Sequence, residues 1–247
     1  MPLYTAEALV LRTYKLGEAD RIVVFLTRDR GKKRGVARGA RRPRSRFGGA
    51  LEPMTRIRVA YFEKEQRELV GLNYAEPVCS PLAAADPDAL GFVGYFAELL
   101  DLWAQEADAD ERLFRLGAAV VEALAAGVGA QKLARYFECW LLRLQGVYPS
   151  LVQCQRCGTT LGQQGAWLGP EFTLLCGDCG AVGAPDLSPE ALGAMSALAA
   201  VPPERAGEVP VSVTALLELE RVHRALVNAQ LEREPRAARV LRELGAS

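Results

Sequence analysis

The sequence predicts an α+β protein of several domains: an N-terminal β-barrel followed by an α-helical C-terminal domain into which a four-cysteine module is inserted. Three observations support this. The first 80 residues hold about five strand-like segments, later residues are rich in alanine and leucine at helical spacing, and two C-x-x-C pairs interrupt that helical pattern. We therefore divide the 247 residues into a barrel domain (1–80), a first helical part (81–150), a cysteine module (151–181) and a second helical part (182–247).

The barrel prediction depends on short segments rich in β-branched and aromatic residues, with turn residues between them. These segments span residues 6–14, 21–27, 35–38, 55–63 and 67–77. Five strands of this size fit a small closed or nearly closed barrel of the OB type, because closure removes exposed strand edges.

The fourth segment alternates with the period of two expected of a strand. Ile57, Val59 and Tyr61 would lie on one face. The opposite face would hold Arg56, Arg58 and Phe62.

Helical signals begin after Pro77. Asp86 is predicted to cap a helix whose apolar face contains Leu90, Val93, Phe96, Leu99, Leu100 and Trp103. Further helices are predicted at 111–126, 131–145, 189–200 and 214–232, with Ser188 capping the fourth and a short terminal helix starting at Pro235.

Positive charge is concentrated in one window. The chain has 30 basic and 30 acidic side chains, yet the segment Arg28–Arg46 holds ten cations against one acid, Asp29. Such a cluster repels itself, so it is best explained as a surface that meets a polyanion, with nucleic acid the leading candidate. The alternative is a solvated face, a targeting signal or a disordered tail. Against it, Gly31, Gly35, Gly39 and Pro43 make a turn-rich segment whose backbone could approach phosphates closely.

Aromatic residues near this charge are candidate platforms for unpaired bases. Phe25, Phe47 and Phe62 are possible platforms, while Arg56 and Arg58 would extend the cationic surface. The alternative, favoured for most large rings in a small domain, is simple core packing.

The cysteine module reads C-x2-C-x18-C-x2-C, formed by Cys154, Cys157, Cys176 and Cys179. Two such turns supply four sulfurs at tetrahedral corners, which indicates a structural zinc site with no open position for substrate. Gly158 and Gly180, directly after the pairs, suit strained turns. The alternatives are chance pairing of the cysteines and a redox role.

The other candidate reactive residues are predicted to be packed. His223, the only histidine, shares a helical stripe with leucines, and Cys79 and Cys139 lack close cysteine partners. No phosphate loop, nucleophile elbow or histidine-supported nucleophile occurs, so catalysis is not expected. Without a secretory signal or an apolar run long enough to span a bilayer, we expect a cytoplasmic protein that does not associate with a membrane.

One family resemblance covers essentially the whole chain. The order of barrel, helical body and four-cysteine module, with GARRPRS at 39–45 and Leu51-Glu52-Pro53 after it, resembles the bacterial recombination mediator RecO. The resemblance implies a non-enzymatic DNA repair protein that binds single- and double-stranded DNA and anneals complementary strands. It also implies RecR and single-stranded-DNA-binding protein as partners, and help to the RecA recombinase in replacing the latter on DNA.

The resemblance also suggests which residues contact DNA: Lys32, Lys33, Arg34, Arg38, Arg41, Arg42, Arg44 and Arg46. Two other functions stay open: a zinc-ribbon protein that binds RNA or associates with the ribosome, and a metal-assisted nuclease. Competition between RNA and DNA would separate the first from a DNA mediator, and a cleavage assay with magnesium or manganese would test the second.

Overall fold

A computed structural model describes residues 2–63, 68–83, 87–180 and 185–243. The chain forms two compact units, Met1–Gly127 and Val128–Ser247. The first unit consists of a barrel and two helices, and the second contains the cysteine module and the remaining helices.

The barrel is closed, as predicted. Its strands follow the order β1-β2-β3-β5-β4, with β4 pairing back onto β1, and all pairs are antiparallel except β3 with β5. Their bounds are β1 Leu3–Leu16, β2 Asp20–Thr27, β3 Lys32–Ala37, β4 Arg56–Phe62 and β5 Val70–Cys79. This five-stranded arrangement confirms the OB-like class.

The barrel interior is filled by alternate residues of these strands. Ile57, Val59 and Tyr61 are fully buried, and the Tyr61 ring lies edge-on to Phe25 with centroids 5.7 Å apart. Arg56, Arg58 and Phe62 lie on the outer face of β4, as the alternation predicts.

The third strand starts earlier than expected. The segment at 35–38 was predicted, but β3 begins at Lys32 because a tight hairpin follows β2: the Thr27 backbone N–H and hydroxyl both donate to the Gly31 carbonyl. Gly31 adopts φ +65° there, a conformation that favours glycine. Lys32 and Lys33 therefore belong to the sheet and not to a loop.

Two helices complete the first unit: α1 (Pro87–Trp103) and α2 (Glu111–Ala125). Asp110 caps α2 by accepting a hydrogen bond from the Leu113 backbone N–H at 3.0 Å. Where α2 packs on the barrel, a Cβ at Gly117 would lie 2.7 Å from Leu9 Cδ1 and 2.8 Å from Leu100 Cδ1, so a larger residue there would displace these two buried leucine side chains.

The predicted apolar face of α1 needs one correction. Leu90 is 55% exposed, whereas Ala89 is buried, because the buried stripe passes through 89, 92–93, 96, 99–100 and 103 and a residue one position on is rotated by about 100°. The predicted cap Asp86 lies outside the described residues.

The second unit packs α3 against α4 and α5. Its elements are α3 Ala130–Leu144, β6 Trp167–Leu168, β7 Leu174–Leu175, α4 Pro189–Ala200, α5 Val213–Leu231 and α6 Arg236–Glu243. Ser188 caps α4 as predicted, accepting a hydrogen bond from the Ala191 backbone N–H at 3.2 Å. In the part of the chain that the structure describes, no helix is both long and apolar enough to cross a lipid bilayer.

The predicted domain boundaries at residues 80, 150 and 181 stay predictions. The structure places α1 and α2 in the same compact unit as the barrel. A compact unit is not necessarily a segment that folds alone, so this division does not test the predicted boundaries.

Candidate nucleic-acid interface and candidate metal centre

The nine residues after β3, Arg38–Arg46, form a loop that we call the basic loop. Its first half is held on the turn between β1 and β2: the Gly39 N–H donates to Asp20 Oδ1 at 2.8 Å, and the Arg41 N–H donates to the Ala19 carbonyl at 2.9 Å. No sequence pattern links Asp20 to the basic loop, because its partner Gly39 lies 19 positions away.

The far end of the basic loop is held by Phe47, whose side chain is 2% exposed in the barrel core. The Arg46 guanidinium lies over the Phe47 ring at 5.1 Å, and its Nη2 donates to the Leu72 carbonyl at 3.5 Å. The basic loop is therefore held at both ends, which lowers the entropic cost of binding a ligand there.

Six of the predicted DNA-contacting arginines are exposed. No carboxylate in the described ranges lies within 4.0 Å of any of them. They are Arg34 on β3 and Arg38, Arg41, Arg42, Arg44 and Arg46 in the basic loop. Arg41 is partly engaged, since its Nη1 donates to the carbonyls of Gly17 at 3.0 Å and Glu18 at 2.9 Å.

Lys32 and Lys33 are placed differently. Lys32 Nζ lies 3.3 Å from Asp101 Oδ1 and donates to the Asp101 carbonyl, and Lys33 Nζ lies 2.8 Å from Glu63 Oε1. The two lysine side chains are only 15% and 14% exposed. Both charges are already matched by carboxylates within the first unit.

Arg56 and Arg58 also have acidic neighbours. Arg56 Nη1 pairs with Glu122, and Arg58 Nη1 lies 3.8 Å from Glu76 with both side chains more than half exposed. The ten predicted residues thus divide into six arginines without a carboxylate partner among the described residues and four cations with one.

Two of the three predicted aromatic platforms are wrong. Phe25 and Phe47 are 0% and 2% exposed and lie in the barrel core, where no base can reach them. Phe62 is half-buried and borders a cleft of about 680 Å³ beside Arg38 and Arg46.

The four cysteines of the module converge. The Sγ atoms of Cys154, Cys157, Cys176 and Cys179 all lie within 4.8 Å of one another. Cys157 Sγ and Cys176 Sγ are 3.6 Å apart, close to the roughly 3.8 Å edge of a tetrahedron with metal–sulfur bonds of about 2.3 Å. The donor set and its spacing fit a bound metal ion.

The two glycines that follow the pairs serve different purposes. Gly158 adopts φ +76°, the left-handed turn that was predicted. Gly180 does not: a Cβ there would lie 2.8 Å from Cβ and Cγ of Trp167. Glycine at 180 is therefore required by the space beside Trp167, and the prediction of a strained turn is wrong at this position.

Hydrogen bonds tune the thiols of the cluster. Burial raises the pKa of Cys154, but hydrogen bonds from the backbones of Cys176, Cys157 and Arg156 outweigh it and bring the pKa to about 6. A hydrogen bond with the Cys157 side chain raises the pKa of Cys179 to about 12. Four thiolates so close together need a cation, and metal binding would release the remaining protons.

His223 is buried, as predicted, but it belongs to a polar network. His223 Nδ1 lies 2.9 Å from Glu138 Oε2, and because a carboxylate can only accept, Nδ1 carries the proton. Nε2 of the neutral ring then accepts from the Tyr148 hydroxyl at 2.8 Å. Glu138 Oε1 accepts from Arg135 Nη2 at 2.9 Å. The sequence analysis missed the ion pair of Arg135 and Glu138. Opposite charges three positions apart on a helix are neighbours on its surface, and this spacing could have indicated the pair.

The unpaired thiols take no part in the metal cluster. Cys139 is fully buried, and burial raises its pKa to about 11, which fits the inert thiol that was predicted. Cys79 is half-buried, and burial raises its pKa as well.

Two family models match the chain. Residues 1–81 match the model described as Recombination protein O N terminal, and residues 84–239 match Recombination protein O C terminal. Together they cover the barrel, the helices and the cysteine module.

Curated relatives extend the same likeness. The chain is 42% identical over 161 residues to a protein of Koribacter versatilis (strain Ellin345), covering 64% of this chain and 65% of the relative. It is 35% identical over 247 residues to one of Anaeromyxobacter sp. (strain K), covering 96% and 95%, and 34% identical over 255 residues to one of Desulforudis audaxviator (strain MP104C), covering 100% and 99%. All three relatives bear the name DNA repair protein RecO.

Proposed function

This chain belongs to the RecO family of DNA repair proteins, and we propose that it acts in recombinational repair as a non-enzymatic mediator that binds single- and double-stranded DNA and anneals complementary strands. The basic loop is the contact surface in this proposal. The names of the relatives support a role in repair, and the exposed arginines of the first unit support the annealing step.

The observation on which the proposal depends is the set of six exposed arginines that lack a carboxylate within 4.0 Å in the described ranges. Two DNA strands repel each other through their phosphates, and this repulsion opposes annealing. A surface of guanidinium groups neutralises phosphates without reading bases, so it lowers that barrier for any pair of complementary strands.

We assign direct phosphate contacts to Arg34, Arg38, Arg42, Arg44 and Arg46. Arg41 contacts phosphate while also holding the basic loop on the carbonyls of Gly17 and Glu18. Guanidinium groups suit this task because they bind phosphate oxygens through two parallel hydrogen bonds.

The remaining four predicted contacts take a secondary role in the proposal. Lys32, Lys33 and Arg56 stabilise the first unit through Asp101, Glu63 and Glu122, because a phosphate would have to displace a carboxylate to reach them. Arg58 is 60% exposed and extends the positive field from the outer face of β4.

The metal in this proposal is Zn²⁺, held by Cys154, Cys157, Cys176 and Cys179. Four thiolates complete a tetrahedral shell, so the ion stabilises the module and leaves no position for water or substrate. The chain's own contribution is the pair of turns that bring the sulfurs together, including the left-handed turn at Gly158.

The resemblance to the RecO family suggests the partners in this proposal. We assign RecR and single-stranded-DNA-binding protein as direct partners, and RecA as the recombinase that gains access to DNA through them. The site of action in this proposal is the bacterial nucleoid.

The experiment is a strand-annealing assay with purified protein, two complementary oligonucleotides and a series of salt concentrations. We expect protein-dependent annealing that weakens as salt rises, with both strands recovered intact in magnesium or manganese. A variant with Arg42→Glu and Arg44→Glu should lose annealing while keeping the circular dichroism of the wild type. Annealing that survives this double reversal would contradict the proposed surface, and strand cleavage by the wild type would contradict a non-enzymatic role.

A further inference from the structure

A cleft of about 680 Å³ lies next to the basic loop, where β3 meets β5. Its volume falls in the range of roughly 300 to 1,000 Å³ typical of ligand sites. The residues used below are Arg38, Arg46, Phe62, Glu68, Gly71 and Asn73, all of which line it.

One residue that lines the cleft is a glycine, the second residue of β5. Gly71 lies on β5 opposite Phe62 on β4 and beside Val36 on β3. A Cβ at position 71 would meet no atom within 4 Å, so neither neighbouring side chain covers it. Glycine in a strand often marks a place where a ligand or another backbone approaches closely. Here packing does not require it.

Asn73 lines the cleft because of an irregularity in β5. The pairing steps from Ala60 with Tyr74 to Tyr61 with Leu72, which leaves Asn73 as an extra residue in the ladder. Such bulges re-aim a side chain and are frequent beside binding sites. An amide at this point offers both a donor and an acceptor to a ligand.

Two cations, an aromatic ring and a carboxylate also line the cleft. Arg38 and Arg46 are cations without a carboxylate within 4.0 Å in the described ranges, Phe62 is a half-buried aromatic, and Glu68 is an exposed carboxylate. Cations suit a phosphate, an aromatic ring suits the face of a base, and amide and carboxylate oxygens suit the amino groups on a base edge.

We propose that this cleft accepts an unpaired nucleobase of a single strand whose phosphates lie on the basic loop. The inference rests on the proposed function and adds to it a preference for single-stranded over duplex DNA. Bases in a duplex are stacked and paired and cannot enter a cleft, whereas bases of a single strand can. The cleft therefore strengthens single-strand binding selectively, while the arginines serve both forms of DNA.

The test compares single-stranded and duplex DNA of equal length with the full-length protein. Phe62→Leu keeps an apolar side chain and removes the aromatic face, and we expect it to weaken single-strand binding by about 5- to 20-fold with duplex binding unchanged. Phe62→Tyr should restore single-strand affinity. Gly71→Ile fills the cleft at a position open to a side chain, and should have the same selective effect as Phe62→Leu.

A second probe removes the base instead of the ring. A single strand whose residues are abasic should bind the wild type and Phe62→Leu equally, because no base remains to enter the cleft. Equal losses for single-stranded and duplex DNA, or no loss for either, would overturn the inference. A difference between the two proteins that persists on the abasic strand would overturn it as well.

Arg44→Ala separates this inference from the proposed function. It should weaken both forms of DNA to a similar degree, since it contacts phosphates. If Arg44→Ala and the double reversal of Arg42 and Arg44 leave the affinities for both forms of DNA unchanged, the basic loop is not the DNA-binding surface. The proposed function and the nucleobase site would then both be contradicted. If they weaken binding while Phe62→Leu and Gly71→Ile do not, only the nucleobase site is contradicted.

Discussion

The carboxylate of Asp20 accepts a hydrogen bond from the backbone N–H of Gly39 at 2.8 Å. Together with the hydrogen bonds of Arg41 to the carbonyls of the turn between β1 and β2, this contact holds the start of the basic loop. An acid therefore supports the most basic segment of the chain. Gly39 adopts φ +70°, which directs the backbone into the loop at that point.

We expect Asp20→Ala to lower affinity for duplex DNA by a few fold, because the loop loses an anchor worth about 1 kcal/mol and binding must then order it. Loss of a negative charge alone would act in the opposite direction and raise affinity. Asp20→Asn is the matched control, since it removes the charge and keeps an acceptor oxygen. Affinity can be measured by fluorescence anisotropy, and a rise for Asp20→Ala equal to that for Asp20→Asn would contradict the anchoring role.

Removal of Glu138 should be strongly destabilising. Glu138 and Arg135 form an ion pair with side chains 2% and 7% exposed, so Glu138→Ala leaves a buried guanidinium without that carboxylate. We expect a loss of about 3 kcal/mol in the free energy of unfolding, measured in urea. Glu208→Ala is the control, because its pair with Arg205 has the same spacing but is exposed, and it should change stability little. Equal effects of the two variants would contradict the assignment.

The buried network also predicts a pH dependence. Burial lowers the pKa of His223, so the folded protein keeps a neutral ring where the unfolded chain takes up a proton near pH 6.5. Its contribution to stability is therefore complete above about pH 6.5, and stability falls as the pH is lowered from there towards the folded pKa, by at most about 1.4 kcal/mol per pH unit. Unfolding of the wild type and His223→Gln between pH 5.5 and 7.5 tests this. The free energy of unfolding of His223→Gln should depend less on pH over this range than that of the wild type. An identical pH dependence of the two proteins would contradict the role of His223.

Metal removal should destabilise the second unit. We expect about one zinc ion per chain and a lower unfolding temperature after treatment with a strong chelator, because the ion binds the folded module. Cys176→Ser should lose the metal, whereas Cys79→Ser should retain it, since Cys79 is outside the cluster. Metal content by atomic emission checks both, and full zinc content in Cys176→Ser would contradict the four-cysteine site.

Local sequence patterns were enough to predict the barrel and the cysteine cluster. Alternation along β4 places Tyr61 inside and Phe62 outside, and the spacing of Cys154 and Cys157 brings two sulfurs to one turn. These properties depend on residues a few positions apart, so the sequence alone determines them.

Longer-range pairing could not be read in this way. Lys32 lies in the same run of charge as Arg34, yet Asp101 neutralises it from 69 positions away. Phe47 follows the basic loop like a possible platform, but closure of the barrel places it in the core. The requirement for glycine at 180 comes from Trp167, which only the folded module brings near.

The most direct test of the account is the salt dependence of DNA affinity. If about six arginines contact phosphates, log affinity should fall with log salt with a slope near −5 for duplex and −4 for single strands. Arg42→Ala with Arg44→Ala should reduce the magnitude of each slope by about 1.5 to 2. Arg205→Ala with Arg233→Ala, which changes net charge equally in the second unit, should leave the slopes unchanged. Wild-type slopes in the Arg42→Ala, Arg44→Ala variant would contradict the claim that the exposed arginines of the basic loop form the DNA-binding surface.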